Sequence, residues 1–233
     1  VDRGQGQAGQ PVGGWRGEGL PFGLGALGDV AVDGDDVFVT EISGGRIQRW
    51  TGDGFEQVAT ELIGPVGLRV LDAATLLVAE EGAQTIATID RTTGARAVVA
   101  SELNNVTYLE VRDGRAYVSS FRDTGAMGTG ILWEVVLATG DTSPFVTNLD
   151  VPEGLFFGAD GALVIVDWQR PTQTIRIQDA VRTIVTEDLD EAYGILDAAS
   201  FEDGRGGLLV ADHRATETSG RIVRVFPDGS TET

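Results

Sequence analysis

The stretch 35–41, Asp35-Asp36-Val37-Phe38-Val39-Thr40-Glu41, is a short β-rich apolar run that closes on an acidic residue. It recurs at 74–80 (ATLLVAE), 114–120 (GRAYVSS), 162–167 (ALVIVD) and 207–212 (GLLVAD). The closing positions, Glu41, Glu80, Ser120, Asp167 and Asp212, are spaced by 39, 40, 47 and 45 residues. Self-similarity at such a period is the mark of a repeat architecture.

Working outward, a second series follows each copy. It begins at Arg46, Thr85, Ile131, Thr174 and Arg221, and it alternates apolar with polar residues as a half-buried strand does. Turn dipeptides come next: Asp53-Gly54, Thr93-Gly94, Thr139-Gly140 and Asp228-Gly229, which suit a tight hairpin at positive φ. The fourth copy uses Gln178-Asp179-Ala180 instead. A third series then ends on Leu62, Leu103, Leu149 and Leu189, and five residues after each comes an innermost segment at Gly67, Tyr108, Gly154 and Gly194. Leu24 and Asp29 keep the same offset for the first copy. No stretch of useful length has helical periodicity.

The reading is therefore all-β: a β-propeller of four-stranded antiparallel blades. A single blade cannot bury both of its faces, so the copies must stack around an axis. With a mean repeat of about 43 residues, the 233-residue chain holds five blades; six would apply if the chain were a fragment. The orphan segment GLPFGLGAL resembles the outer-strand sequence SPFVTNL. Residues near Leu20–Leu24 are expected to complete the fifth blade and close the ring, which removes exposed strand edges. Residues 1–19 read as a flexible Gly/Gln-rich lead-in and 20–233 as one propeller domain.

Composition narrows the function. All 17 basic residues are Arg, there is no Lys and no Cys, and the formal charge is −19. Schiff-base lysine chemistry, the P-loop and cysteine nucleophiles are thereby excluded. So acidic a surface repels phosphate backbones and anionic lipid, which argues against nucleic-acid and membrane-surface partners. No apolar run reaches the roughly 18 residues of a membrane helix. A small-molecule or protein ligand at the propeller rim, a monomeric state and an extracellular or periplasmic location complete these expectations.

Gly-Pro-Val-Gly (64–67), Val-Pro-Glu-Gly (151–154), Gly-Arg-Ile (45–47 and 220–222) and Val-Ala-Asp (210–212) give the unit its character. From about residue 20 onward it resembles the NHL-repeat propellers and their relatives in the gluconolactonase/senescence-marker and streptogramin-lyase group. These motifs specify a fold and not a reaction. The resemblance to gluconolactonases implies a divalent metal, Ca²⁺ or another, in the central channel, bound just before the innermost-strand glycine. Those slots hold Gly28, Val66, Thr107, Glu153 and Tyr193, and of these Glu153 matches a typical ligand. The Asn and Asp ligands implied on the other blades have no counterpart. The lyases' paired histidines have none either, since the chain contains one His.

In such a strand order the outer-to-inner connections and the loops after the second strand share one rim. That rim collects Asn104, Asn105, Asp150, Glu153, Asp190 and Glu191, together with Glu41, Glu80, Glu81, Asp167, Asp212, Trp168, Phe121 and His213. Oxygen-rich groups of this kind suit a hard cation. The metal set expected is Glu153 with Asn104, Asn105, Asp150 and Glu191; Trp168, Tyr193 and His213 are expected to contact ligand. The acids ending the second strands recur, which points instead to a job repeated in every blade: accepting hydrogen bonds from the backbone of the turn that follows. A triad would need His213 with Ser119 or Ser120 from another blade, without any nucleophile-elbow sequence. Trp50 and Trp133 fall on third strands and read as packing between blades. The functional reading is a ligand- or protein-binding propeller with an acidic rim; the alternative is a Ca²⁺-dependent lactonase or esterase.

Overall fold

The computed structural model describes residues 25–121, 127–158, 160–168, 172–178, 181–189, 192–197, 208–212, 221–226 and 230–232. Every recurring apolar run is a strand, and each unit is a four-stranded antiparallel meander. The first sheet is β1 (Leu27–Asp33), β2 (Asp36–Glu41), β3 (Arg46–Trp50) and β4 (Phe55–Ala59). The second is β5 (Pro65–Val70), β6 (Thr75–Glu80), β7 (Thr85–Asp90) and β8 (Arg96–Ala100). The third is β9 (Val106–Arg112), β10 (Arg115–Ser120), β11 (Gly130–Val136) and β12 (Thr142–Leu149). The fourth is β13 (Pro152–Phe157), β14 (Leu163–Asp167), β15 (Thr172–Gln178) and β16 (Val181–Leu189). The last is β17 (Ala192–Asp197), β18 (Leu208–Asp212), β19 (Arg221–Val225) and the short β20 (Thr231–Glu232). The segment Leu20–Leu24, expected to complete this last sheet, lies outside the described residues. The C-terminal strand β20 occupies the edge of β19, pairing Thr231 with Val225.

The sheets stack face to face through their alternating apolar positions. Ala31, Phe38, Ile47 and Ala59 of the first sheet pack on Leu68, Leu76, Val78, Ala87 and Ile89 of the second. Leu77, Ala79 and Ile86 of the second pack on Leu109, Ala116, Val118 and Val135 of the third, with Trp133 against the cluster. Leu132 and Leu149 of the third meet Leu155, Ile165 and Ile175 of the fourth. Odd and even positions of one strand thus serve two different interfaces, which is why the period-2 pattern and near-total burial coexist. Trp50 lies on β3 against Phe55, with ring centroids 5.1 Å apart.

The innermost strands β1, β5, β9, β13 and β17 pack on one another in that order. Gly67 shows how closely. A Cβ there would sit 2.7 Å from the Thr107 carbonyl oxygen and 2.9 Å from the Tyr108 Cα, so no side chain fits. Hydroxyls stitch the same seam. Thr40 Oγ1 donates to the Val66 carbonyl at 2.7 Å, and Thr107 Oγ1 donates to the Pro152 carbonyl at 3.3 Å. Asp29, Arg69 and Glu110 form an ion-paired chain across β1, β5 and β9, at 2.8 and 3.1 Å.

One turn departs from expectation. Gly94 and Gly140 take positive φ as their dipeptides require, but in the first sheet the positive φ is at Gly52 (+94°) and not at Gly54. The hairpin closes earlier there, with Thr51 N–H donating to the Gly54 carbonyl at 2.9 Å.

Candidate functional site

The outer-to-inner connections and the loops after the second strands do share one rim, and backbone bonds tie them together. Ile42 N–H donates to the Ala26 carbonyl, Glu81 N–H to Gly64 and Trp168 N–H to Val151, at 2.8, 2.8 and 2.9 Å.

The recurring acids at this rim do a repeated structural job, but not toward the turn that follows. They hold the connection that leads into their own sheet. Asp167 accepts from Asp150 N–H (2.9 and 3.1 Å) and Val151 N–H (2.9 Å). Glu80 accepts from Ile63 N–H at 3.0 Å and from Arg96 at 2.6 Å. Glu41 accepts from Gly25 N–H on the incoming connection and also from Arg46 and Gln48 of β3, at 2.7 and 2.8 Å, and Arg46 holds its carboxyl below the ordinary range. The reason is geometric: the incoming connection brings bare N–H groups to the second strand's end, and these must be satisfied.

In the third sheet the sign reverses. Ser120 Oγ is placed to donate to the Leu103 or Asn104 carbonyl, at 2.6 and 2.5 Å, and Asn104 and Asn105 both carry positive φ, 34° and 33°. Asn tolerates that region better than most residues. The Asn104 side chain is exposed and that of Asn105 half-buried. Asp150, also expected at a metal, accepts from Gly128 N–H through its carboxylate. Trp168 is half-buried at the start of its loop. Tyr193 lies in β17, while Glu191 and His213 lie outside the described residues.

Glu153 stands apart. Its position near the start of β13 leaves it only 8% exposed. No cation or hydrogen-bond donor faces its carboxyl among the described residues; its electrostatic neighbour is another acid, Glu81 in the turn after β6. Burial first, and the Glu81 charge second, push it up to about 8. Of the other slots in the ring, Thr107 has its hydroxyl within 3.0 Å of Ser119 and 3.3 Å of the Pro152 carbonyl, and Gly28 and Val66 have no donor to offer. Among the described residues no three His, Asp or Glu side chains form a ready ligand group. The carboxyls here that could take part in holding a divalent cation are those of Glu153 and Glu81; the remaining oxygens would come from water or a bound molecule.

Neither Glu81 as the acid facing Glu153 nor the Asp29–Arg69–Glu110 chain was anticipated from the sequence. The second carried a signal. Arg69 and Glu110 occupy the same register in consecutive repeats, as opposite charges.

No family model and no curated protein matches the sequence. Many solved structures match the fold. A calcium-binding regucalcin from Agrobacterium tumefaciens superposes with a TM-score of 0.72 at 14% identity, over 90% of this chain and 74% of its own. A gluconolactonase from Xanthomonas campestris gives 0.70 at 17%, covering 89% and 75%. A virginiamycin B lyase from Staphylococcus aureus gives 0.65 at 16%, covering 88% and 68%. The chain is a β-propeller of four-stranded antiparallel blades. More particularly, its architecture is that of the regucalcin and gluconolactonase propellers, and at these identities the likeness concerns fold alone.

Proposed function

We propose that this chain is a ligand-binding propeller, five-bladed by its repeat, that takes a divalent cation at the channel mouth through Glu153 and Glu81. The observation that carries the proposal is a carboxyl buried beside a like charge with no compensating donor. An ionised group in that position is costly unless a cation joins it. Ca²⁺ suits the oxygen-only donor set, and the Agrobacterium protein of the same fold is a calcium-binding one.

Titration calorimetry with CaCl₂ tests this directly. Wild type should bind one cation, Glu81→Gln should bind about tenfold more weakly, and Glu153→Gln should not bind below millimolar. Equal binding by wild type and Glu153→Gln would remove the proposal. A second reading, hydrolysis of a lactone or ester, is favoured by one observation: near neutral pH the Glu153 carboxyl holds its proton, as a general acid requires. The same proteins assayed for opening of a neutral lactone separate binding from turnover.

A further inference from the structure

We propose that Thr107 is the positioning residue of the channel-mouth site, fixing where Glu153 stands relative to Glu81. The inference rests on the cation reading for its use, and on hydrogen bonds and close packing for its geometry.

The two carboxyls belong to the second and fourth sheets, so the third sheet between them sets their separation. Glu81 is tied to β5 through its own turn. Glu81 N–H donates to the Gly64 carbonyl at 2.8 Å and Gly82 N–H to the Ile63 carbonyl at 3.1 Å, and those residues lead straight into β5 at Pro65. Glu153 is carried by β13. Between β5 and β13 runs β9, and Thr107 meets both neighbours. Its carbonyl oxygen would lie 2.7 Å from a Cβ on Gly67, the close approach to β5. Its hydroxyl donates to the Pro152 carbonyl at 3.3 Å, the contact with β13. Pro152 C=O and Glu153 N–H share one planar peptide unit, so that bond orients the backbone from which the Glu153 side chain leaves.

A relay of hydrogen bonds holds Thr107 itself. Tyr108 N–H donates to Ser119 Oγ at 3.0 Å, and Ser119 Oγ lies 3.0 Å from Thr107 Oγ1. The Tyr108 carbonyl, also at 3.0 Å, is a second acceptor for Ser119. With Ser119 donating to Thr107 and Thr107 to Pro152, the bonds point the same way and polarise one another. Both hydroxyl residues are buried, so water does not compete. The branched Thr107 side chain has few alternative rotamers.

The other sheets show that this arrangement is particular to the third. The residue before each closing rim position is Thr40, Ala79, Ser119 and Val166 in the first four sheets. Thr40 serves the β1–β5 seam directly, accepting from Asp29 N–H at 2.8 Å and donating to the Val66 carbonyl at 2.7 Å. It reaches because the slot beside it holds Gly28, where a Cβ would lie 2.8 Å from the Thr40 hydroxyl. In the third sheet that slot holds Thr107. It interposes a second hydroxyl and moves the contact one residue back, from the slot carbonyl to that of Pro152. Packing alone does not call for the insertion, since Thr40 closes its seam without one. The insertion falls against Glu153.

Calcium calorimetry and amide-resolved NMR of the whole chain, on three variants, are the test. Thr107→Val, similar in shape but without the hydroxyl, should bind calcium about tenfold more weakly than wild type. Thr107→Ser should recover to within about threefold. Thr40→Val breaks the like bond one seam outside the Glu81–Glu153 pair, and should stay within about twofold of wild type whatever stability it loses. In the metal-free protein the Glu153 amide nitrogen reports the donor on the Pro152 carbonyl. It should move in Thr107→Val and return toward the wild-type position in Thr107→Ser. With that amide pattern present, an absence of calcium binding by wild type would remove the cation reading and leave the hold of Thr107 on the Glu153 peptide standing. The same Glu153 amide position in Thr107→Val and Thr107→Ser overturns the proposal. Undiminished calcium binding by Thr107→Val, or equal weakening by Thr40→Val, overturns it as well.

Discussion

At pH 9 and without divalent metal, Glu153→Gln should be more stable than wild type by about 3–5 kcal/mol, and at pH 4 the two should be equal. The size follows from a buried carboxyl raised from 4.5 to about 8, at about 1.4 kcal/mol for each pH unit. Below pH 4.5 the carboxyl is protonated in folded and unfolded chains alike, and burial costs nothing extra. Between 4.5 and 8 the unfolded chain gives up its proton while the folded one keeps it, so stability falls as pH rises. Above 8 the folded carboxylate ionises too and the loss levels off. Glutamine has no such proton, and the difference between the two proteins isolates this group from the other acids. Urea unfolding at several pH values measures it. A constant difference from pH 4 to pH 9 would mean that the carboxyl has a compensating partner.

Asp167→Ala should destabilise the protein by about 3–4 kcal/mol, the largest loss expected from any rim acid. The side chain is fully buried and holds two consecutive N–H groups, Asp150 and Val151, that have to be satisfied. Removing it strands both donors, at about 1–3 kcal/mol each before water relieves part of the cost. Burial raises the Asp167 carboxyl above its ordinary range, and the Asp150 and Val151 N–H bonds work against that rise. The same connection leads directly into Glu153. Cation binding should therefore weaken in Asp167→Ala even where the variant stays folded, whereas Asp167→Asn, which retains one acceptor oxygen, should lose less of both. Unfolding curves and calcium titrations of the two variants check this.

The strands were legible because alternating apolar residues and a repeat of about 43 residues impose the same answer in each unit. The rim was legible too, since strand order alone places those loops together. Side-chain aim was not. Asp150 and Glu153 read alike in Asp-Val-Pro-Glu-Gly (150–154), yet one is latched to Gly128 N–H and the other has only another acid as its electrostatic neighbour. Glu41, Glu80 and Asp167 announced a shared structural duty, while its direction, toward the incoming connection, depends on which N–H groups the preceding sheet leaves bare. Glu81 lies two sheets away from Glu153, a proximity that no spacing along the chain encodes.

The most direct measurement is the number of protons released when calcium binds at pH 7, obtained by repeating the calorimetric titration in buffers of different ionisation enthalpy. With Glu153 near 8, about nine-tenths of a proton should leave for each cation bound. Calcium heats that do not change with buffer would contradict the account, and so would the absence of binding at millimolar calcium.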